Sequence, residues 1–477
     1  MQSPALNFIP RGLYIGGEWV SPVDGRAFAS INPTNMEKLA DVPGAGEKDV
    51  DTAVKAAKTA FRQWSRVPIK ERARCLEQLA HRIEKNADEL ALFDAVDSGN
   101  AIVGMRGDMI WTAEWLRYCA ALISEIKGET FSQGDRHLNL TRRQPFGVVA
   151  KINPFNHPFR FCAEKAAAPL AAGNTVVIKG SEQAPLSSLR LGELCDGIFP
   201  PGVVNIVTGG PATGASLVAH PDVDKVAFTG STEVGKEIRR AVAGTGKALT
   251  LELGGKAANI VFDDAALDQA VEGVVNGIYF NQGHVCCAGS RLFVQEPVVE
   301  QVLDKLKARL AMLRVGDPLD KNTDVGAINS RAQLDKITEL VAAGAEEGGE
   351  VYQPPCPLPD RGYWFRPTVI TGVTQSHRVA REEIFGPVLS VLTFRTAEEA
   401  VAKANNTRYG LSAGVWTEKG SKILWMSSRL KAGVVWANTY NRFDPASPFG
   451  GYKESGFGRE GGVHGLAPYV HLEAARG

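Results

Sequence analysis

Lys225-Val226-Ala227-Phe228-Thr229-Gly230-Ser231-Thr232-Glu233-Val234-Gly235 reads as a short strand, a glycine-bounded turn and the opening of a helix that runs on to Ala243. The same unit recurs on both sides of it. Upstream, Gly147 to Ile152 is an apolar strand that stops at Asn153-Pro154. A helical stretch follows from Phe159 to Ala172 and ends at Gly173, a residue suited to the left-handed helix terminus. Thr175 to Lys179 is a second strand. Leu186 to Cys195 is helical until Pro200-Pro201-Gly202 breaks it, and Val203 to Val207 is a third strand. Downstream, Ala248 to Leu253 is a fifth. Apolar strands alternating with helices predict an α/β fold with a doubly wound parallel sheet. Such sheets bind ligands beyond the carboxyl ends of their strands. Asn153 to His157, Lys179 to Glu182 and Gly230 to Gly235 all fall at such ends.

The second half repeats the style. Asn259 to Phe262 is a strand, followed by a helix with Leu267, Ala270, Val271, Val274, Val275 and Ile278 on one face, expected to be capped at Asp263 or Asp264. It stops near Gly283. Cys286 and Cys287 follow in the turn before a strand over Arg291 to Gln295. The first ~120 residues read as helical after a short strand-like start, Leu13 to Val20, with one periodic stretch over Asp49 to Trp64 and another over Ile69 to Phe93. A small third unit is expected from two separated pieces, a hairpin strand over His137 to Arg142 and an edge strand over Tyr469 to Glu473.

The bulk properties narrow the function. A chain of 477 residues exceeds what one hydrophobic core supports, so two or three domains are expected. Its 53 basic and 53 acidic residues cancel, which leaves no long-range field to draw nucleic acid or an anionic membrane. No stretch reaches ~18 uninterrupted apolar residues, and Met1 to Arg11 lacks the charged head and apolar run of a secretory leader. The seven cysteines are odd in number and form no C-x-x-C pair, which points to free thiols and a reducing, cytoplasmic setting. The eight histidines show no metal-binding spacing, so no metal is expected.

Three features can carry chemistry. Cys286 lies in a small-residue turn that exposes side chains to a cleft, so it reads as a nucleophile, against the commoner fate of a buried, packed thiol. Cys287 alternates to the other side and is expected to pack. Glu252 interrupts the apolar run Leu249 to Leu253 and is followed by Gly254-Gly255-Lys256; burial there would raise its pKa and suit it to general-base work, while an ion pair with a nearby lysine is the plain alternative. The turn Gly230 to Gly235 opens a helix whose bare backbone N–H groups can meet a phosphate, although a simple tight turn reads as well. Lys179 and Glu182 can hold ribose hydroxyls or be solvated charges.

Taken together these residues match a family. Phe280-Asn281-Gln282-Gly283-His284-Val285-Cys286-Cys287-Ala288-Gly289 resembles the cysteine signature of the aldehyde dehydrogenases, and Leu251-Glu252-Leu253-Gly254-Gly255-Lys256 their glutamate signature. Asn153 to Pro158, Phe228 to Gly235, Glu382-Glu383-Ile384-Phe385-Gly386-Pro387 and Ser447-Pro448-Phe449-Gly450-Gly451-Tyr452-Lys453-Glu454-Ser455-Gly456 are similar to further family motifs, all in family order. The resemblance implies a Rossmann-like cofactor domain from 1–124 and 146–254, an α/β catalytic domain from 255–455, and a β oligomerisation element from 125–145 and 456–477 that builds a homodimer or homotetramer.

It also implies roles. Cys286 is the nucleophile that forms a thioester with the aldehyde, Glu252 the base that activates water, and Asn156 a donor to the oxyanion beside the Cys286 N–H. Lys179 and Glu182 bind the adenosine ribose of NAD, Gly230 and Ser231 the pyrophosphate, and Glu383 the nicotinamide ribose, with Phe385 near the nicotinamide. Asn153, Pro154 and Phe155, Ser181, Gly209, Gly214, Phe228 and Gly254 complete the cofactor set. A carboxylate at Glu182 favours NAD over NADP, because it would repel a 2′-phosphate. One departure stands out. His284 occupies a position where the family has Gln, and a ring two residues from the thiol can either titrate with it or simply pack.

For the substrate, Phe161 and Glu164 share one helix face, and Phe280, Val285, Phe443 and Phe449 match other tunnel positions. An aromatic tunnel with one carboxylate suits a neutral aromatic or medium-chain aldehyde, or one with a hydroxyl or a positive group, and disfavours an aldehyde that carries its own carboxylate. The alternative is that Glu164 pairs with Arg160 or Lys165 on its own helix. A CoA-acylating dehydrogenase is a poorer match, since such enzymes lack the glutamate present here as Glu252. A non-catalytic module would have lost Cys286 or Glu252, and a metal hydrolase lacks its ligands.

Overall fold

Five strands, Val148–Ile152, Thr175–Lys179, Val204–Val207, Lys225–Thr229 and Ala248–Glu252, form the parallel centre of an eight-stranded sheet in the computed structural model. The structure describes residues 10–132 and 137–474, together with Leu6 and Asp135. Helices cover both faces of this sheet, which is why its inner strands are continuous apolar runs instead of alternating ones. Chain order reverses at Val148–Ile152, which lies between Thr175–Lys179 on one side and Lys225–Thr229 on the other. A crevice therefore opens beyond the carboxyl end of that strand. At one edge the sheet ends in the antiparallel pair Leu13–Ile15 and Glu18–Val20, and at the other in Gly456–Phe457, antiparallel to the strand that carries Glu252.

A second sheet of seven strands runs Glu350–Tyr352, Thr368–Thr371, Val388–Phe394, Arg291–Gln295, Ala258–Val261, Ser412–Trp416, Val434–Ala437. It is parallel except at Glu350–Tyr352. The two separated pieces expected to meet do so: Val470–Ala474 pairs antiparallel with Leu138–Pro145, and Thr130–Ser132 closes the three-stranded sheet. Among the described residues no helix is long and apolar enough to cross a membrane. Met1 to Arg11, apart from Leu6, Pro10 and Arg11, lies outside the described residues, as do residues 475–477.

The α/β reading holds, with local corrections. The N-terminal region is not helical directly after Val20: Ala27–Ile31 and Lys38–Pro43 form a separate hairpin. Most of its residues are exposed or half-buried, so no apolar run announces it. The periodic stretch from Ile69 to Phe93 is two helices, Ile69–Lys85 and Ala87–Ser98, parted at Asn86, whose side-chain amide bonds the Arg82 carbonyl at 2.7 Å. Neither Asp263 nor Asp264 caps the next helix, Leu267–Tyr279. Asp264 is drawn away by Thr417 Oγ1 at 2.6 Å and Lys422 Nζ at 3.1 Å, leaving Ala266 at the cap.

The largest core lies between the first sheet and the helices Ile69–Lys85, Ile102–Leu122 and Pro158–Ala172. Phe159 sits in it with no exposed surface. Phe159→Ala should lower stability by about 3–5 kcal/mol, read from the urea midpoint of unfolding; a loss below about 1 kcal/mol would refute this packing.

Candidate active site

Cys286 is placed by an unusual turn. The helix Leu267–Tyr279 ends, and Asn281, Gln282 and Gly283 follow in the left-handed conformation with φ of 52°, 56° and 73°. A side chain at Gly283 would lie 2.1 Å from the Gly386 carbonyl oxygen, so this position needs glycine on two counts. Buried amides hold the strained turn. Asn281 Nδ2 donates to the Asn156 carbonyl at 2.8 Å, and Gln282 Oε1 accepts from the Gly326 N–H at 3.1 Å. Cys286 emerges half-buried, whereas Cys287 is 2% exposed and its carbonyl accepts from Ser412 Oγ and Tyr440 OH. The neighbouring Cys287 thiol, and then the Lys165 ammonium, hold the Cys286 thiol below the usual cysteine range.

Glu252 ends its strand with 5% exposure, and neither of its oxygens has a hydrogen-bond partner among the described residues. Burial, reinforced by the nearby Glu460 carboxylate, pushes its pKa well up. The expected alternative of an ion pair is not what forms, because Lys165 bonds Glu460 instead, at 2.6 Å. Two glycines set the geometry. A side chain at Gly450 would come 2.9 Å from Glu252 Oε1, and one at Gly255 would come 2.4 Å from the Cys286 carbonyl oxygen. The end of the glutamate strand thus lies directly against the cysteine turn.

Asn156 is fixed through its backbone, whose carbonyl accepts from Asn100 Nδ2 at 2.9 Å as well as from Asn281. One hydrogen of its side-chain amide goes to the His284 carbonyl at 2.8 Å, and the other has no acceptor among the described residues. His284 is fully buried. Its ring stacks on Phe385 at 5.5 Å and meets the edge-on Phe155 ring at 5.4 Å, and neither ring nitrogen has a partner among the described residues. Of the two roles open to it from sequence, packing is the one it plays.

The remaining cleft residues line the strand ends. The Asn153 N–H bonds the Lys179 carbonyl at 3.0 Å, Pro154 and Phe155 follow half-buried, and Lys179 Nζ meets Glu182 Oε2 at 3.1 Å. Ser181 Oγ accepts from the Gln183 N–H, Gly214 lies along the Lys179 stem, and Gly209 stands at φ 149° beside Thr213. The Gly230 N–H bonds the Glu252 carbonyl, while Ser231 caps the helix Thr232–Val242. A side chain at Gly230 would strike the Phe228 ring at 2.5 Å, and one at Gly254 would strike Glu383 Oε2 at 2.2 Å. Glu383 Oε1 accepts from the Gly255 N–H at 3.0 Å, and burial raises its pKa. Phe385 takes φ 55°.

The apolar wall is assembled too. The Phe443 ring lies 5.5 Å from Phe449 and 6.4 Å from Trp111, Phe280 is exposed, and Val285 packs half-buried. Phe161 is 9% exposed beside the Lys165 ammonium. Glu164 is not free to sense a substrate's charge: its Oε2 accepts from Arg160 Nε at 2.7 Å and Trp111 Nε1 at 2.8 Å. Sequence reasoning passed over Asp108, Trp111 and Glu460, and named His157 only within a strand-end motif and Lys165 only as a partner for Glu164. Asp108 carried a signal, an acid directly before the apolar run Met109 to Ala113, like that which singled out Glu252.

A doubly wound sheet and a second parallel sheet, with the turn that carries the Cys286 thiol packed against the end of the Glu252 strand, define an α/β protein built on two parallel sheets. The profile of the aldehyde dehydrogenase family matches residues 19–474. An aldehyde dehydrogenase of Aspergillus niger is 43% identical over 469 residues, which cover 98% of this chain and 94% of that one. An NAD+ complex of an aldehyde dehydrogenase from Bacillus cereus superposes with a TM-score of 0.96 at 42% identity, covering 99% and 97% of the two chains. An indole-3-acetaldehyde dehydrogenase of P. syringae, complexed with NAD+ and IAA, gives 0.96 at 38% over 99% and 97%. The chain belongs to the aldehyde dehydrogenase family, enzymes that oxidise aldehydes to acids.

Burial pushes the His284 imidazole down to about 3. An exposed histidine titrates near ~6.5, so between these values the unfolded chain binds a proton that the folded chain does not. Stability therefore falls as pH drops through this window. In His284→Gln the urea midpoint should decline less between pH ~6.5 and ~4 than in wild type; parallel declines would refute a buried neutral ring.

Proposed function

We propose that this enzyme is an NAD+-dependent, hydrolytic aldehyde dehydrogenase working through a thioester on Cys286. The observation that carries this is the meeting, across Gly255, of a thiol of depressed pKa with a buried carboxyl that has no bond of its own. The Cys286 thiolate attacks the aldehyde carbon and makes a C–S bond. The carbonyl oxygen becomes an oxyanion, received by the free amide hydrogen of Asn156 and the Cys286 N–H, at about 3 kcal/mol per donor. As the C=O bond re-forms to give the thioester, hydride leaves this carbon, and bound NAD+ would supply its acceptor. Glu252 then removes a proton from water, which attacks the thioester. The C–S bond breaks, releasing the acid and the thiolate. A carboxyl held at raised pKa by burial suits that proton transfer.

The strand ends fit a dinucleotide. Gly230 and Gly254 leave the backbone bare, and the helix Thr232–Val242 points its amino end at the same cleft. Lys179 and Glu182 would hold the adenosine ribose and Glu383 the nicotinamide ribose, with Phe385, positioned by His284 and Phe155, beside the nicotinamide. Residues 1–124 and 146–254 are assigned to cofactor binding, 255–455 to catalysis, and 125–145 with 456–477 to assembly as a homodimer or homotetramer. Exposed Leu138, Leu140 and Leu472 on the three-stranded sheet support an assembly surface. Seven free cysteines suit the cytoplasm. The aromatic wall suits a neutral aromatic or medium-chain aldehyde.

Cys286→Ala should lower kcat at least about a thousandfold while NAD+ still binds. Glu252→Gln should give a burst of one NADH per site with a trapped acyl-enzyme visible by mass spectrometry. Full turnover in Cys286→Ala would sink the proposal.

NAD+ should be preferred over NADP+. A 2′-phosphate ~4 Å from Glu182 meets repulsion of at most about 4 kcal/mol at an effective dielectric of ~20, partly offset by Lys179. Equal kcat/KM for the two would show that Glu182 does not discriminate.

A further inference from the structure

One wall of the cleft carries four ionisable side chains that the chemistry at Cys286 and Glu252 does not use. Asp108 comes from the helix Ile102–Leu122. His157, Arg160 and Glu164 come from the amino end of the helix Pro158–Ala172, immediately after Asn156. Their side chains are 6%, 7%, 16% and 5% exposed respectively. They form one chain of bonds. His157 Nδ1 lies 2.6 Å from Asp108 Oδ2, Arg160 Nη1 donates to Asp108 Oδ1 at 3.1 Å, and Arg160 Nε donates to Glu164 Oε2 at 2.7 Å. Trp111 Nε1 ends the chain on Glu164, and the Arg160 guanidinium lies 5.1 Å from the Trp111 ring centre.

An apolar aldehyde needs no such wall, and burying paired charges brings little stability over apolar residues of the same volume. Besides Glu164 Oε1, the bond chain leaves two polar atoms without a partner among the described residues. One is Arg160 Nη2, a donor on the most exposed of the four side chains. The other is His157 Nε2. Because the Asp108 carboxylate can only accept, Nδ1 carries the proton that bonds it, and in the neutral ring Nε2 is left as an acceptor. Two carboxylates stand against the Arg160 guanidinium and one imidazole, so in either state of that ring the wall has no spare positive charge for an anionic substrate. Aromatic rings flank it: Phe161 lies 5.2 Å from His157, Phe280 stacks 6.5 Å from it, and Phe443 meets Trp111 edge-on.

We infer that the preferred aldehydes carry a hydroxyl group on an aromatic body, with the hydroxyl accepting from Arg160 Nη2 and donating to His157 Nε2. This rests on the cleft being the aldehyde site proposed above. It moves substrate recognition from Glu164, which is occupied in holding Arg160, to Arg160 and His157.

The test is kcat/KM of the full-length enzyme with NAD+ over a series: benzaldehyde, 4-methoxybenzaldehyde, 3- and 4-hydroxybenzaldehyde, 4-(hydroxymethyl)benzaldehyde and 4-carboxybenzaldehyde. At least one hydroxylated member should exceed benzaldehyde about 10-fold or more, as expected for a hydrogen bond to a charged group. The methoxy compound, which accepts but cannot donate, should fall well below it, and the carboxylate lowest. His157→Phe, which leaves the Asp108–Arg160 pair intact, should bring the ratio of hydroxy to methoxy compound to within about 3-fold of unity; an unchanged ratio would overturn the role of His157. Should that variant not fold, the wild-type series decides alone. Preference for the carboxylate, for a quaternary-ammonium aldehyde, or for none of the series removes this inference and leaves the thioester chemistry standing. If no aldehyde is turned over at all, both fall.

Discussion

Asn281, Gln282 and Gly283 stand one after another in a backbone conformation that residues with side chains normally visit singly. Such strain persists only where the surroundings over-determine it, and here they do. The Gln282 amide nitrogen reaches Asn100 Oδ1 at 3.1 Å and the Ala327 carbonyl at 3.2 Å, while its oxygen accepts from Gly326. Asn100 and Asn281 both donate to the Asn156 carbonyl. One knot of buried amides therefore joins the N-terminal helices, the first sheet's central crevice and the second half of the chain. Cys286 is thrown off the line of its helix by this knot, and Asn156 is fixed by the same bonds, so the thiol and the Asn156 amide cannot move independently.

Electrostatics around the knot follow from which carboxylates find cations. Asp108 is buried yet keeps a lowered pKa, because the hydrogen bond from His157 Nδ1 and the Arg160 guanidinium outweigh its desolvation. Glu460 is likewise held down by Lys165. Glu252 has no such bond, and Glu460 adds repulsion, so its pKa rises. With the cations already engaged by its neighbours, one carboxyl is left at the cleft in a state from which it can exchange protons. The same division explains the thiol: Lys165, bonded to Glu460, still contributes to lowering the Cys286 pKa.

The parallel sheets were legible because both-face burial writes continuous apolar runs, as in Val148–Ile152 and Thr175–Lys179. Gly173, at φ 94°, marked a helix end for the steric reason assumed. Elements whose pattern is not apolar were missed: the exposed hairpin Ala27–Ile31 with Lys38–Pro43, and the break at Asn86, where one side-chain bond overrides an unbroken helical period. At the site, Cys286 and Glu252 could be singled out because each offends a local rule. His157 and Arg160 offend none, since a polar residue at a helix start is ordinary; only the approach of Asp108 from a helix some fifty positions away gives them a shared wall.

The stretch Ser447 to Gly456 shows the limit most clearly. Apart from Phe449 on the apolar wall, nothing in it carries chemistry, and it was recognisable only as a family resemblance. Its physical content is room and tethering. Gly450 leaves space for Glu252 Oε1, and Gly456, at φ 109°, approaches the Leu251 carbonyl so closely that a side chain would come to 2.0 Å. Ser455 Oγ donates to the Gly254 carbonyl at 2.7 Å and accepts from the Gly410 N–H at 3.0 Å. The segment fastens the glutamate strand to the second sheet by backbone contacts that need small residues. Close backbone approach leaves glycines in a sequence, and a glycine's partner is named only by the fold.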